Sequence, residues 1–278
     1  MIERREASSI GRLRAGTVKL MQDGVPENFT AAVIEPYLQV DGAGGGTGFS
    51  FNEPAALREG VVALDADGFQ VHVHAIGDRA IRETLDAFEA AAASNGERDA
   101  RHHVTHLQLL DPADVARFRA LGLVATVQPY WAFADRQMVE LTIPFIGHER
   151  SRRQYAFRSL HDAGVRLAFA SDWAISTADP LMGIEVAVTR TDPEDRGTEP
   201  FLREQALDLG TALAAATRGS SYVNHLDGET GSIEVGKQAD LVVLDHDPAD
   251  RDLAGPADAR VEMTIVGGGI VYERGALA

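Results

Sequence analysis

The 278-residue sequence contains no cysteine. Disulfide bonds, thiolate metal sites and cysteine nucleophiles are therefore excluded, and any metal must bind His, Asp, Glu or a modified Lys. No apolar run approaches the roughly 18 residues that a membrane span requires, and the first residues lack the apolar stretch of a signal peptide. We therefore expect a cytoplasmic protein that does not enter a membrane.

Positive charge is also scarce. The sequence has 26 Lys and Arg against 42 Asp and Glu, which gives a formal net charge of -16. Nucleic acids and anionic membrane surfaces attract proteins with the opposite balance, so neither is expected as a partner. The apolar fraction of 45% and the charged fraction of 24% are typical of a soluble globular protein with one large domain or two modest ones.

Short runs of apolar and β-branched residues alternate with helical patterns along most of the chain. This alternation is typical of βαβ units and predicts an α/β fold with a parallel sheet. From Gly231 onward the pattern changes to short strands separated by glycine turns, which predicts a separate β element. The predicted strands are 17–21, 69–75, 103–107, 123–128 and 165–170, and the predicted helices are 53–64, 79–94, 111–121, 151–163, 180–189 and 209–218.

Polar side chains occur near the ends of four of the predicted strands, where parallel α/β folds gather their reactive groups. These residues are Lys19, His74, His106 and Asp172. His72 and His74 lie two positions apart on one strand and so face the same side, where both could bind one ion. The histidines of this strand fit equally well as residues that pack and form hydrogen bonds near its end.

Seven segments together resemble amidohydrolase family 3 of the amidohydrolase superfamily, the YtcJ-like hydrolases that include N-substituted formamide deformylases. The resemblance covers essentially the whole chain, and the segments occur in the family's order. A dinucleotide-binding or flavodoxin-like sheet is disfavoured because no G-x-G-x-x-G follows the first strand. The segments are VKLMQDG, HVHAIGDRAI, HVTHLQLLDPADV, VQPYW, FASDW, DPLMGIEVAVTR and GSIEVGKQADLVVLD.

The resemblance implies a role for each of the four residues. His74 and His106 resemble the metal-binding histidines after barrel strands five and six. Asp172 resembles the strand-eight aspartate that contacts metal and takes the proton of the attacking water. Lys19 occupies the position of a lysine that is carboxylated in many members, although a buried or paired structural lysine remains an alternative. The implied cofactor is a divalent metal, zinc above all, and the implied reaction is hydrolysis of a small amide-type substrate.

Other residues have weaker predicted roles. Tyr130, Trp131 and Trp173 follow two of the strands and could line a substrate pocket or merely cap the barrel. His72 is expected to pack or to support a ligand rather than to bind metal itself. Asp78 is expected to cap a helix that begins at Arg79.

One family motif has no counterpart in this sequence. The superfamily begins its barrel with a His-x-His strand, whereas the one His-x-His here follows Lys19. The resemblance thus implies strands four to eight of a TIM (β/α)8 barrel over 1–230 and part of a small β-sandwich domain over 231–278. We expect the chain alone to have little or no hydrolase activity. An inactive remnant, a half-barrel subunit completed by an N-terminal half, self-association along the open edge, and binding without turnover remain open.

Overall fold

The computed structural model describes Arg5, residues 8–250 and residues 252–275. Contacts between Cα atoms divide the chain into two compact units. The first unit comprises the chain up to residue 126 together with residues 136–165, and the second comprises residues 127–135 together with the chain from residue 166 onward. The predicted boundary between residues 230 and 231 stays a prediction.

A parallel sheet forms the centre of the first unit, as predicted. Its neighbouring strands pair in register, with Lys19 opposite His72 and His72 opposite His103. A small hairpin of β2 (Gln39–Val40) and β3 (Ala43–Gly44) lies in the long loop that follows β1. The strands of the parallel sheet, in spatial order, are β1 (Thr17–Met21), β4 (Gln70–Ala75), β5 (His103–His106) and β6 (Val124–Val127), of which the last residue belongs to the second unit.

The two faces of this sheet differ in polarity because successive side chains of a strand point to opposite sides. Val71, Val73 and Val104 are fully buried on one face. The other face carries His72, His74 and the side chains level with them on the neighbouring strands. The alternation that predicted β4 therefore also separates the apolar core of the unit from a histidine-rich face.

Helices α1 (Pro54–Ala66) and α2 (Asp78–Asn95) pack against each other and against β4. They bury a regular series of apolar residues, which is why the sequence pattern located both helices correctly. The shorter helices of the unit are α3 (Val115–Ala120), α4 (Ile143–Ile146), α5 (His148–Ser151) and α6 (Phe157–Asp162). Turns of 3-10 helix occupy Pro26–Asn28 and Pro112–Asp114, and a π-helical turn occupies Met138–Thr142.

The predicted helix over 151–163 is interrupted at residues 152–156, because Ser151 ends α5 and α6 begins only at Phe157. Before it, Gln154 forms an isolated antiparallel bridge with Leu109, and Tyr155 donates its N–H to the carbonyl oxygen of Gln108. Tyr155 also has a φ of 47°, which no α-helix accommodates. Tertiary hydrogen bonds therefore override the helical pattern over these residues.

The second unit contains β7 (Arg166–Phe169), and Ala170 directly after it donates its N–H to the carbonyl oxygen of Val127. Helix α7 (Pro180–Thr189) matches its predicted bounds, because Asp179 caps it and Pro180 begins it. Helix α8 (Leu209–Ala214), a π-helical turn (Ala215–Gly219) and α9 (Ser220–Val223) follow. Turns of 3-10 helix occupy Pro129–Trp131, Arg203–Gln205 and Pro256–Asp258.

The predicted C-terminal β element is present as a three-stranded antiparallel sheet. Its strands are β8 (Leu241–Leu244), β9 (Val261–Val266) and β10 (Gly269–Glu273), with β9 in the middle. A buried carboxylate on α7 binds the loop before this sheet's second strand. The fully buried Glu185 accepts hydrogen bonds from the Arg196 guanidinium and from the N–H of Ala257.

None of the helices in the described residues is long and apolar enough to cross a membrane.

Candidate metal centre

His74 and His106 lie side by side at the ends of β4 and β5. Both are buried, and their ring centroids are 4.4 Å apart in an edge-to-face arrangement. In the pairing of β4 with β5, His106 stands opposite Ala75 and not opposite His74. In a regular strand, the His106 side chain would therefore point to the other face of the sheet from His74. His106 however has a φ of 77°, and this left-handed backbone turns its side chain away from the regular strand alternation. Two of the four residues predicted as metal ligands therefore converge through a local distortion of β5.

Asp23 is the residue of this centre that the sequence interpretation missed. Its carboxylate is fully buried, and its Oδ1 lies 3.6 Å from Nε2 of His74. It accepts three backbone hydrogen bonds, from Ala32, Ile76 and Gly77, at 2.8 to 2.9 Å. Burial outweighs these donors and raises the pKa of Asp23 to about 7. The sequence does contain a signal for Asp23: it precedes a glycine and lies just past the strand that carries the candidate ligand Lys19.

The Asp23 carboxylate joins three segments of chain around His74. It follows β1, whereas Ile76 and Gly77 follow β4 and Ala32 belongs to the long loop after β1. Gly77 is required by close approach, since a Cβ atom there would lie 2.0 Å from the carbonyl oxygen of Ala32. Asp23 therefore fixes the backbone on both sides of the strand end that presents His74.

Asp78 departs from its predicted role as an N-cap. It is the first residue of α2, and Gly77 occupies the cap position. Its carboxylate instead accepts the N–H of Ile34 at 2.8 Å. The acidic side chain thus holds the long loop after β1, a tertiary contact that local capping patterns do not predict.

Lys19 lies one row below the His74–His106 pair on the same sheet face. It is exposed and stands opposite His72, whereas Met21 stands opposite His74. His72 packs against His103 with ring centroids 4.4 Å apart, a pair separate from His74 and His106. The sheet therefore carries two neighbouring rows of histidine pairs.

His102 has a structural role. Its Nδ1 accepts the N–H of Val71 at 3.0 Å, and its Nε2 lies 2.9 Å from Oδ1 of Asp65. Because Nδ1 accepts a hydrogen bond, the ring proton resides on Nε2 and is donated to the carboxylate. Burial lowers the pKa of His102, and the Asp65 carboxylate only partly opposes this effect. His102 therefore links α1 to β4 and supplies no ligand.

Asp172 belongs to the second unit, where it follows β7. It is half-buried and has a φ of 54°, in the left-handed region that aspartate tolerates better than most residues. Its carbonyl oxygen accepts the N–H of Ile175 at 2.8 Å. The turn after β7 is therefore a tight one that begins at Asp172.

A cavity of about 260 Å³ in the second unit begins next to this turn. Tyr130 and Phe169 form part of its wall, and Ser171 and Asp179 contribute polar atoms. Burial raises the pKa of Tyr130, so its side chain stays a neutral phenol. Of the three predicted pocket residues, Tyr130 lines the cavity, whereas Trp131 and Trp173 do not.

The chemistry of the His74–His106 pair fits a divalent metal. Imidazole nitrogen is the commonest protein ligand of zinc-like ions, and a carboxylate beside a ligating histidine orients its ring. Within the described ranges, no group of three or more His, Asp or Glu side chains is close enough together to hold a metal ion. The pair therefore fits two positions of a metal site rather than a complete one.

The model of the amidohydrolase family, Amidohydro_3, matches residues 3–272, and the chain belongs to this family. The protein LONG AFTER FAR-RED 3 of Arabidopsis thaliana is 34% identical over 94% of the chain and 43% of its own length. The N-substituted formamide deformylase of Arthrobacter pascens is 28% identical over 94% of the chain and 46% of its own length. The predicted resemblance is thus confirmed.

The fold agrees with this family. An uncharacterised metal-dependent hydrolase from Pyrococcus horikoshii OT3 superimposes with a TM-score of 0.74 and 27% identity. The match covers 93% of this chain and 50% of that structure. The chain therefore spans about half the length of the relatives that it matches.

Proposed function

We propose that the protein is a metal-dependent hydrolase of carbon–nitrogen bonds other than peptide bonds. The single observation that carries the proposal is the buried His74–His106 pair beside the Asp23 carboxylate. Membership of the amidohydrolase family supports hydrolysis, and the name of the Arthrobacter pascens relative supports an amide-type substrate. A small N-substituted amide or formamide is therefore the expected substrate.

His74 and His106 would hold a divalent ion, for which zinc is the first candidate. The family resemblance implies Asp172 and a carboxylated Lys19 as further ligands. When bound, such an ion supplies Lewis acidity that activates water and polarises a carbonyl group. Asp23 fixes the backbone that follows His74, and the Asp172 carboxylate would accept the proton of the attacking water and deliver it to the leaving amine.

The cavity beside Asp172 would receive the group carried by the substrate nitrogen. Tyr130 and Phe169 offer apolar surface, which suits an aryl or alkyl substituent. The Tyr130 phenol can in addition donate a hydrogen bond, because its raised pKa keeps the proton on the oxygen. Size and apolarity of this substituent would then govern KM.

We also propose that the described sheets are parts of a barrel and of a β-sandwich domain. The four strands of the parallel sheet, together with β7, would correspond to strands four to eight of a (β/α)8 barrel, and the C-terminal sheet would correspond to part of a β-sandwich domain. The similarity to the Pyrococcus horikoshii hydrolase over half of that chain supports this assignment. In such a barrel the histidine-rich face would line the interior.

The test is formate release from a simple N-aryl formamide in the presence of zinc. We would assay the chain alone and a chimera in which it replaces the matching part of the Arthrobacter pascens deformylase. Little activity is expected from the chain alone, and zinc-dependent activity is expected from the chimera. His74→Asn and His106→Asn should each lower the rate at least about 100-fold, because each removes a ligand. The exposed His161→Asn serves as the control.

A folded, zinc-loaded chimera that releases no formate would contradict the proposed carbon–nitrogen specificity. Formate release that survives both histidine substitutions would contradict the proposed site. Robust turnover by the chain alone, with two bound metals, would overturn our expectation that it is inactive in isolation.

The second candidate is a half-barrel subunit or an inactive remnant. It is favoured by exposed residues on the edge strand β1, where Met21 is 48% exposed. Exposed strand edges invite association with a second copy or a complementing chain. Size-exclusion chromatography with metal analysis separates the candidates. A monodisperse, metal-bearing species favours a working unit, and a metal-free aggregate favours a remnant.

A further inference from the structure

Another cavity, of about 300 Å³, lies in the first unit, at the end of the sheet opposite the candidate metal centre. Its wall is formed by the end of α2, by the loop that leads into β5, and by the end of α3 with the turn that leads into β6. These segments adjoin the N-terminal ends of the strands, whereas His74 and His106 lie near the C-terminal ends. The volume is at the lower end of the range for small-molecule sites. The cavity is therefore a candidate binding site separate from the metal centre.

Part of the wall of this cavity is apolar. Phe88, Ala91 and Leu123 line it and are buried. The Phe88 ring stacks on the His102 ring with their centroids 5.0 Å apart, which holds both rings in place beside the cavity. Ala92, one residue further along α2, also lines the cavity. An apolar ligand group bound here would lose its contact with water.

Most hydrogen-bond acceptors in the wall already have donors. The Asp65 carboxylate is buried, and it accepts hydrogen bonds from Asn95, Arg98 and His102. At the ends of α2 and α3, carbonyl oxygens accept N–H groups of the turns that follow. Glu97 differs, because its side chain is exposed at the rim. A ligand that offers donors to the interior of this cavity would therefore compete with existing hydrogen bonds.

Two arginines in the wall keep unused donors among the residues that the structure describes. Arg119 donates there only from Nη1, to the carbonyl oxygen of Gly164 at 3.0 Å, and its Nε and Nη2 groups stay available. Arg98 donates from Nε and Nη2, to Asp65 and to the carbonyl oxygen of Phe69, and its Nη1 group stays available. Two adjacent N–H groups of one guanidinium match the two oxygens of a carboxylate. The cavity therefore offers donors to a ligand that carries acceptors.

We propose that this cavity binds a small carboxylate with an apolar body, such as an aryl or short-chain alkyl acid. The Nε and Nη2 groups of Arg119 would hold the carboxylate, and Arg98 would add a further donor. The apolar part of the wall would cover the body of the ligand. The formal charge of -16 repels anions from the protein as a whole, so binding must come from this local arrangement. The site does not depend on the proposed hydrolase activity.

The experiment is a titration of the 278-residue chain with sodium benzoate, followed through the alanine methyl signals in ¹H–¹³C spectra. EDTA is present throughout, so that no metal at the His74–His106 pair can bind the probe. Benzyl alcohol and benzylamine serve as neutral and cationic probes of nearly the same size. We expect a Kd of about 1–10 mM for benzoate, at least about fivefold tighter binding than for either other probe, and shifts of the Ala91 and Ala92 methyl signals.

The variants test the charges of the wall in both directions. Arg119→Gln should weaken benzoate binding at least about fivefold, and Arg119→Lys should weaken it less, because an ammonium group keeps the charge but cannot form the paired hydrogen bonds. Glu97→Gln should strengthen it about twofold, because it removes a like charge from the rim. Arg58→Gln is the matched control: Arg58 is exposed on α1 and does not line the cavity, so the Kd should change less than about 1.5-fold.

Three results would overturn the proposal. They are unmoved Ala91 and Ala92 methyl signals at benzoate concentrations well above the expected Kd, binding of benzyl alcohol or benzylamine as tight as that of benzoate, and an unchanged Kd in Arg119→Gln. Circular dichroism establishes that each variant is folded, and if Arg119→Gln does not fold, the three probes on the unaltered chain still decide. A chimera that releases no formate would contradict the proposed hydrolase and leave this proposal intact.

Discussion

Replacing Asp23 should destabilise the first unit in two graded steps. Asp23→Ala removes the acceptor of three buried N–H groups, from Ala32, Ile76 and Gly77. An unsatisfied buried donor costs about 1–3 kcal/mol, and water entering the vacated space recovers part of this loss. We therefore expect the free energy of unfolding to fall by about 3–6 kcal/mol.

Asp23→Asn should cost less, because an asparagine has the same shape and keeps one acceptor oxygen. Its best orientation places that oxygen at Oδ2, where the N–H groups of Ala32 and Gly77 already donate. Its NH2 group then faces the N–H of Ile76, which loses its acceptor. One orphaned donor gives an expected cost of about 1–3 kcal/mol.

The assay is urea unfolding at pH 8, above the raised pKa of Asp23, followed by far-ultraviolet circular dichroism. Asp67→Asn is the matched control, because Asp67 is exposed, and its effect should stay within about 0.5 kcal/mol. Equal stability of Asp23→Asn and the unaltered chain would refute the reasoning, as would equal costs for Asp23→Asn and Asp23→Ala.

Four further changes test other parts of the structure. Gly77→Ala should lower stability by at least about 2 kcal/mol in urea unfolding, because its Cβ would overlap a carbonyl oxygen. Because the pKa of His102 is lowered in the folded chain, the unfolded chain binds the proton at a higher pH than the folded chain does. The free energy of unfolding should therefore fall as the pH drops below about 6.5, and His102→Gln should make this dependence on pH weaker. Glu185→Ala should destabilise the second unit by about 1–3 kcal/mol, measured by thermal unfolding, because it leaves the Ala257 N–H without its acceptor and removes one of the two carboxylates that pair with Arg196. Gly183→Val should raise KM for bulky substrates in the formamide assay by narrowing the cavity, whereas Gly60→Val, with open space around it, should not.

The strands and long helices could be predicted from the sequence because their patterns are local. β4 alternates apolar and polar residues, and α7 begins at a proline directly after a capping aspartate. The same local logic failed for residues 152–156. There the chain turns through Tyr155 and forms hydrogen bonds with a distant segment, and such contacts leave no periodic signal.

The candidate site was predictable in its residue types but not in its geometry. His74 and His106 could be selected by position, yet the left-handed backbone that brings His106 beside His74 has no marker in the sequence. Asp23 was missed because its partners are backbone N–H groups from two separate loops. The register that places Lys19 opposite His72 likewise follows from strand pairing, which one sequence does not specify.

The most direct test of the central claim is anomalous diffraction at the zinc edge from crystals of the zinc-loaded protein. The account predicts a peak between His74 and His106, at about 2.0–2.1 Å from one ring nitrogen of each. Zinc bound elsewhere in the protein, with no peak between these two rings, would contradict it.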